Sequence, residues 1–156
     1  MYKKPKNRLP PFVPLLVATL DSLAWKAMSH GAARLYVALR RRVPNGRNRA
    51  YISYRTAERE LGSSRRKIAE WFGELAHYGF IKLAVPGSLG VEGKGKAPHW
   101  RLTELGQTSK TNAEGLFEAP TMDFLRWDGT PFDQKPFRQT ATWDANKSKN
   151  IIPVTT

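Results

Sequence analysis

The stretch LGSSRRKIAEWFGELAHYGFI, residues 61–81, places Arg65, Arg66 and Lys67 at the head of an apolar series with helical spacing. An arginine can donate two parallel hydrogen bonds to O6 and N7 of a guanine, and each of the three cations can neutralise a phosphate. Anion recognition is therefore the chemistry that these side chains could do. Bond-making chemistry finds no comparable set. His30, His77 and His99 lack metal-ligand spacing, the carboxylates are scattered, and no His-x-His pair accompanies a tyrosine. The chain has no cysteine, which removes disulfides, cysteine-ligated zinc and thiol nucleophiles together. The expectation is a protein that is not an enzyme, with no catalytic residue, metal site or cofactor.

The elements that must position the cations can be read from the pattern. Ile68, Trp71, Phe72 and Leu75 fall at i, i+3, i+4 and i+7 and predict a helix over 64–78 with that face on a core. The opposite surface then carries Ser64, Arg65, Arg66, Ala69, Glu70 and Gly73. Arg65 and Arg66 sit in the first turn, where the positive end of the helix dipole disfavours them by a few tenths of a kcal/mol each. An anionic partner would explain cations at that end. Ser63 and Ser64 could donate to phosphate or cap the helix. Glu70 could accept from a cytosine, but pairing with Arg66 at i, i+4 is the favoured reading.

A second helix precedes this one in SYRTAERELG, capped by Ser53, with Tyr54, Ala57 and Leu61 on one face and Gly62 as a left-handed stop. Only Ser63 and Ser64 then separate the two helices. Arg55, on this second helix, joins the candidate contacts. Glu58 lies four residues before the turn glycine, where such pairs usually pack an alanine. It is expected to tilt outward toward Arg55 or Arg59.

Upstream, DSLAWKAM predicts a short helix capped by Asp21 or Ser22 and anchored by Leu23, Trp25 and Met28. A longer helix follows from Ser29, with Ala32, Tyr36, Leu39 and Val43 inward. Arg40, Arg41 and Arg42 close it before Pro44-Asn45-Gly46. RAYIS, FIKLAV and HWRLTEL read as strands. The glycine-rich loop between the last two lacks the Gly-Lys-Ser/Thr ending of a nucleotide-binding loop and precedes a strand rather than a helix. It reads instead as the tip of a hairpin over 86–98 that offers Lys94 and Lys96 to a nucleic-acid backbone or minor groove.

The charge distribution agrees. The 156 residues carry a net charge of +13. Residues 1–106 hold 20 Lys+Arg against 7 Asp+Glu, whereas residues 107–156 hold 6 of each. All the excess lies in the first two-thirds, which points to a polyanion as partner. The arm YKKPKNR, the Arg40–42 cluster, Arg47 and Arg49 would add phosphate contacts. Pro10, Pro11 and Pro14 interrupt the apolar run near the N-terminus, so a signal peptide is not expected, and no segment approaches a membrane span.

Helix, short strand, helix, tight turn, helix, strand, glycine loop and strand is the order of a winged helix-turn-helix. DSLAWKAMSHGAARLYVALRRR, YISYRTAERELGSSRRKIAEWFGELAHYGFI and GKGKAPHWRLTELG resemble the winged helix-turn-helix proteins common in alphaproteobacteria and their plasmids and integrated elements. The likeness covers residues 12–106, and FLRWDGTPF resembles the extension that follows in such proteins. The group is similar to plasmid replication initiators and to transcription regulators. The resemblance implies an α+β, mainly α fold: three core helices plus a small β-hairpin wing. A basic arm over 1–11 would precede it and a largely irregular extension over 107–156 would follow.

The expected function is sequence-specific binding of double-stranded DNA in a bacterial cytoplasm, associated with the nucleoid, for transcription regulation. Control of a replication origin or mobile element is the alternative. Ser63, Ser64, Arg65, Arg66, Lys67, Ala69, Glu70, Arg55, Lys94 and Lys96 are the candidate contacts. A homodimer is a further expected association. A different class of function, a protein-interaction module, would use the aromatic tail residues Phe124, Trp127, Phe132, Phe137 and Trp143 to hold a partner.

Overall fold

Among the described residues, serine caps the start of four of the five α-helices. The hydroxyl oxygens of Ser22, Ser29, Ser53 and Ser64 accept hydrogen bonds from the N–H groups of Trp25, Ala32, Thr56 and Lys67, at 3.2, 3.3, 3.1 and 3.3 Å. Each satisfies a donor that the first helical turn leaves without an internal partner. In the computed structural model, which describes residues 9–43, 47–88, 95–108 and 117–133, these caps start α2 (Leu23–Ala27), α3 (His30–Arg41), α4 (Tyr54–Leu61) and α5 (Arg65–His77). A preceding turn, α1 (Val17–Asp21), has no side-chain cap of its own.

The single helix expected over 21–28 is instead broken at Ser22. Its backbone is extended, and its hydroxyl donates to the Thr19 carbonyl at 2.7 Å while accepting from Trp25. The break resets the face that looks inward. Ala24 and Met28 are buried and Trp25 half-buried, whereas Leu23, expected as an anchor, is 74% exposed.

In α3 the buried set is Ala32, Leu35, Tyr36 and Leu39. α4 buries Ala57 and Leu61 and ends at Gly62, whose φ of 62° and ψ of 41° are left-handed. A side chain there would be strained, so glycine lets the chain turn into α5 within three residues. Glu58 is half-buried, and Ala57 takes the packed position between the helices.

The inner face of α5 departs from the expected one. Ile68, Phe72 and Leu75 are buried as predicted, but Trp71 is only half-buried, and Glu70 and Glu74 are buried. Trp71 lies over the start of α3. A Cβ on Gly31 would stand 2.0 Å from the indole, so only glycine permits this approach.

β1 (Ile81–Val85) and β2 (His99–Leu102) form an antiparallel pair with Ile81 opposite Leu102 and Leu83 opposite Trp100, and with an irregularity before Val85. The strand expected from RAYIS reduces to one bridge, in which Ala50 and Trp100 exchange both backbone hydrogen bonds. The strand expected over 99–105 stops at Leu102, because Thr103 turns to donate its N–H to Phe80 O and its hydroxyl to Gly79 O. Beyond it, β3 (Gln107–Thr108) pairs with β4 (Phe117–Glu118), and a 3-10 turn spans Asp123–Arg126. The described part is thus α+β and mainly helical. Among the described residues no helix is long and apolar enough to cross a membrane.

The core is aromatic at its centre. Phe72 stacks on Trp100 at 5.3 Å, and Trp25 meets Tyr36 and Phe80 edge-on. Phe124, from the 3-10 turn, stacks on Phe80 at 4.8 Å and is 1% exposed. Truncating a fully buried Phe removes its transfer energy and leaves a cavity. Phe124→Ala should therefore lower unfolding free energy by about 3–5 kcal/mol, read from denaturant midpoints. A change under about 1 kcal/mol would mean that the segment after β4 is not part of the cooperative core.

Candidate nucleic-acid interface

The turn Gly62-Ser63-Ser64 delivers the three cations to the first turn of α5. Arg65, Arg66 and Lys67 are all exposed, with the Arg66 side chain 84% accessible. The Arg65 guanidinium carbon lies 5.5 Å from the centre of the Tyr54 ring, a cation–π distance that ties it to the start of α4. Arg66 Nε lies 3.4 Å from Glu70 Oε1, and Lys67 Nζ lies 2.9 Å from Glu70 Oε2. The favoured Glu70–Arg66 pairing is therefore present, with Lys67 added to it.

That pairing corrects one candidate. Glu70 was expected on the outer surface, within reach of a base. It is 9% exposed, with one carboxylate oxygen on each cation. The hydrogen bond from Lys67 holds its carboxyl below the usual carboxylate range against the opposing effect of burial, and the charges of Lys67 and Arg66 help. In the structure both Glu70 carboxylate oxygens are engaged by cations of its own helix.

Around this centre, Ser64 is exposed and its hydroxyl caps α5, while Ser63 and Ala69 are half-buried. Arg55 is exposed in the first turn of α4. Lys96 is exposed beside the hairpin, where Ser88 and Lys96 exchange backbone hydrogen bonds at 3.0 and 2.8 Å. Lys94 lies outside the described residues, as does most of the basic arm.

The Arg40–42 cluster divides. Arg40 turns toward Glu104, 4.0 Å away, and Arg42 bonds the Ala38 carbonyl and pairs with Glu60. Only Arg41 of the three is fully on the surface, with Arg47 and Arg49 further along. Of the cluster expected to add phosphate contacts, Arg40 and Arg42 instead face carboxylates within the molecule.

The aromatic tail divides too. Phe124 is in the core, Trp127 meets Tyr78 edge-on at 5.1 Å, and Phe132 packs on His77 at 5.6 Å. Phe124 is thus a core residue rather than a free contact, whereas Trp127 and Phe132 are half-buried against the helices. Phe137 and Trp143 lie outside the described residues.

Two buried glutamates were not singled out from sequence. Glu104 accepts hydrogen bonds from Leu16 N–H, Thr19 Oγ1 and Tyr36 Oη at 2.7, 2.8 and 2.7 Å. Glu74 accepts from the N–H and hydroxyl of Ser29 at 2.5 and 2.6 Å. Their only signal was a lone acid among apolar neighbours.

No protein-family model matches the chain, and no curated protein or solved structure matches it. The site's own geometry therefore carries the functional argument.

Because the folded Glu70 carboxyl lies below its ordinary range, its contribution to stability is present above about pH 4–5 and is lost as pH falls through the folded value. The melting temperature of wild type should exceed that of Glu70→Gln at pH 7, and the difference should shrink as pH falls below the ordinary carboxylate range and through the lower folded value. A difference that stays constant over that range would place the effect in packing instead.

Proposed function

We propose that this protein is a winged helix-turn-helix protein that binds double-stranded DNA with sequence specificity, in the manner of a bacterial transcription regulator acting at the nucleoid. The observation that carries this reading is the exposed Arg65-Arg66-Lys67 triplet in the first turn of α5, separated from α4 by the three residues 62–64. Recognition helices reach base edges with that turn. A helix placed only for stability would carry acids there, since the dipole opposes cations at its start.

Each contact then has a distinct task. Arg65, held against Tyr54, and Arg66 read guanine edges in the major groove. Lys67, Arg55 and the exposed backbone around Ser63 and Ser64 hold phosphates. Lys96 adds a backbone or minor-groove contact from the hairpin. Binding exchanges the Glu70 carboxylate for DNA anions as the partner of Arg66, so Glu70 lowers affinity for random duplex while leaving the arginines positioned.

The test is selection of bound duplexes from a random pool, followed by titration of the enriched site against salt. Arg65→Ala should cost ~1–3 kcal/mol of discrimination at one base pair. Lys96→Ala should keep the preferred sequence and reduce the slope of log K against log salt by about 1. Enrichment unaltered by Arg65→Ala would remove α5 as the reading element. A steep salt slope without any enriched sequence would leave phosphate neutralisation alone.

A further inference from the structure

Three glutamates are buried among the described residues, and two of them have a cation. Glu70 has Arg66 and Lys67, and Glu104 has Arg40. Glu74 differs. It is 7% exposed and accepts only from the neutral N–H and hydroxyl of Ser29, and no Lys, Arg or His among the described residues lies within 4.0 Å of its carboxylate. The N-terminus of α3 compensates this carboxylate in part, through the Ser29 donors and the helix dipole, and a cation from outside would add the full counter-charge that it lacks.

There is room for one. Glu74 reaches a cavity of about 290 Å³ between α5 and the junction of α2 with α3. Trp71, Tyr78 and Phe132 form its aromatic walls, and Lys67 and Glu70 lie at another side. Glu70 is already matched by Lys67 and Arg66, so Glu74 is the carboxylate at this cavity whose charge no cation within 4.0 Å meets among the described residues. Its position is also fixed by the fold. The Trp71 indole is seated on Gly31, and Ser29 is at once the cap of α3 and the donor to Glu74.

We infer that this cavity binds a small organic cation, a quaternary or alkyl ammonium, with Glu74 as its counter-charge and Trp71, Tyr78 and Phe132 as its cage. Aromatic faces attract cations through the ring quadrupole, and methylated ammonium groups combine charge with an apolar surface that such walls accept. A bare metal ion fits poorly, because the carboxylate oxygens of Glu74 and Glu70 are already engaged by Ser29, Arg66 and Lys67 and no group of three His, Cys, Asp or Glu among the described residues could hold one. The volume suits a choline-sized group and lies below the range of drug-sized ligands. The inference does not depend on DNA being the partner of α5.

The full chain would be titrated with choline chloride at constant ionic strength while the Trp71 indole and Tyr78 ring signals are followed by NMR. Choline should produce saturable shifts. Its uncharged carbon isostere, with a tert-butyl group in place of trimethylammonium, should bind about tenfold more weakly. Glu74→Gln keeps an acceptor for Ser29 and should weaken choline by a similar factor while leaving the isostere unchanged. If that variant does not fold, Phe132→Leu, a half-buried position at the cavity, should weaken choline with the fold intact. Equal binding of the isostere, the same shifts with sodium chloride, or no saturation in the millimolar range would overturn the inference. So would undiminished choline binding by folded Glu74→Gln or, in its place, folded Phe132→Leu.

Discussion

A buried carboxylate must have its lone pairs occupied, and Glu104 meets that demand by drawing together three parts of the chain. Leu16 and Thr19 come from the start of α1, Tyr36 and Arg40 come from α3, and the glutamate itself follows β2. The Leu16 N–H is one of the orphan donors at the head of α1, which has no cap of its own, so Glu104 serves as its cap from 88 residues away. Burial and then the Glu104 charge push the Tyr36 hydroxyl far above its ordinary range, which keeps it a donor. Asn48 extends the same junction by bonding the backbone of Leu102 and Leu105. This end of the molecule is held by polar groups that leave one another little alternative.

The other end depends on α5, which faces three environments at once. Ile68, Phe72 and Leu75 enter the apolar core, Glu70 and Glu74 sit on a polar shoulder, and Arg65, Arg66 and Lys67 face solvent. The arrangement is internally consistent. The Ser64 cap and the left-handed Gly62 set the start of the helix, and the start sets where the cations project. Glu70 offsets part of the unfavourable encounter between those cations and the helix dipole, so the basic turn can persist without a bound anion.

Much of this was legible beforehand, and the reasons are local. Serine caps, the Gly62 stop and the apolar spacing of α3 and α5 are properties of a few consecutive residues, and they marked those helices correctly. Ser22 was also recognisable as a cap, but its hydrogen bond back to Thr19, which splits the expected helix, depends on a turn that Glu104 stabilises from across the fold. Glu70 was placed on the wrong face, and Trp71, which packs against the core, was placed deeper than it sits, because helical spacing treats neighbouring positions as a smooth gradient. The actual boundary depends on Gly31, which opens a seat for an indole on a different helix. For the candidate interface, residue types and position on the helix were readable, whereas the internal pairing of Arg40, Arg42 and Glu70 was not.

The sequence by itself determined the charge, its concentration ahead of residue 107, the start of each serine-capped helix and the tight turn into the basic triplet. Each follows from short-range sterics, capping or simple counting. Tertiary structure alone decided which cations are spent on carboxylates, which aromatic residues of the tail enter the core, and which buried glutamate has no cation within 4.0 Å among the described residues. Those outcomes depend on groups tens of residues apart meeting in a space from which water is largely excluded, and one-dimensional spacing carries no term for that meeting.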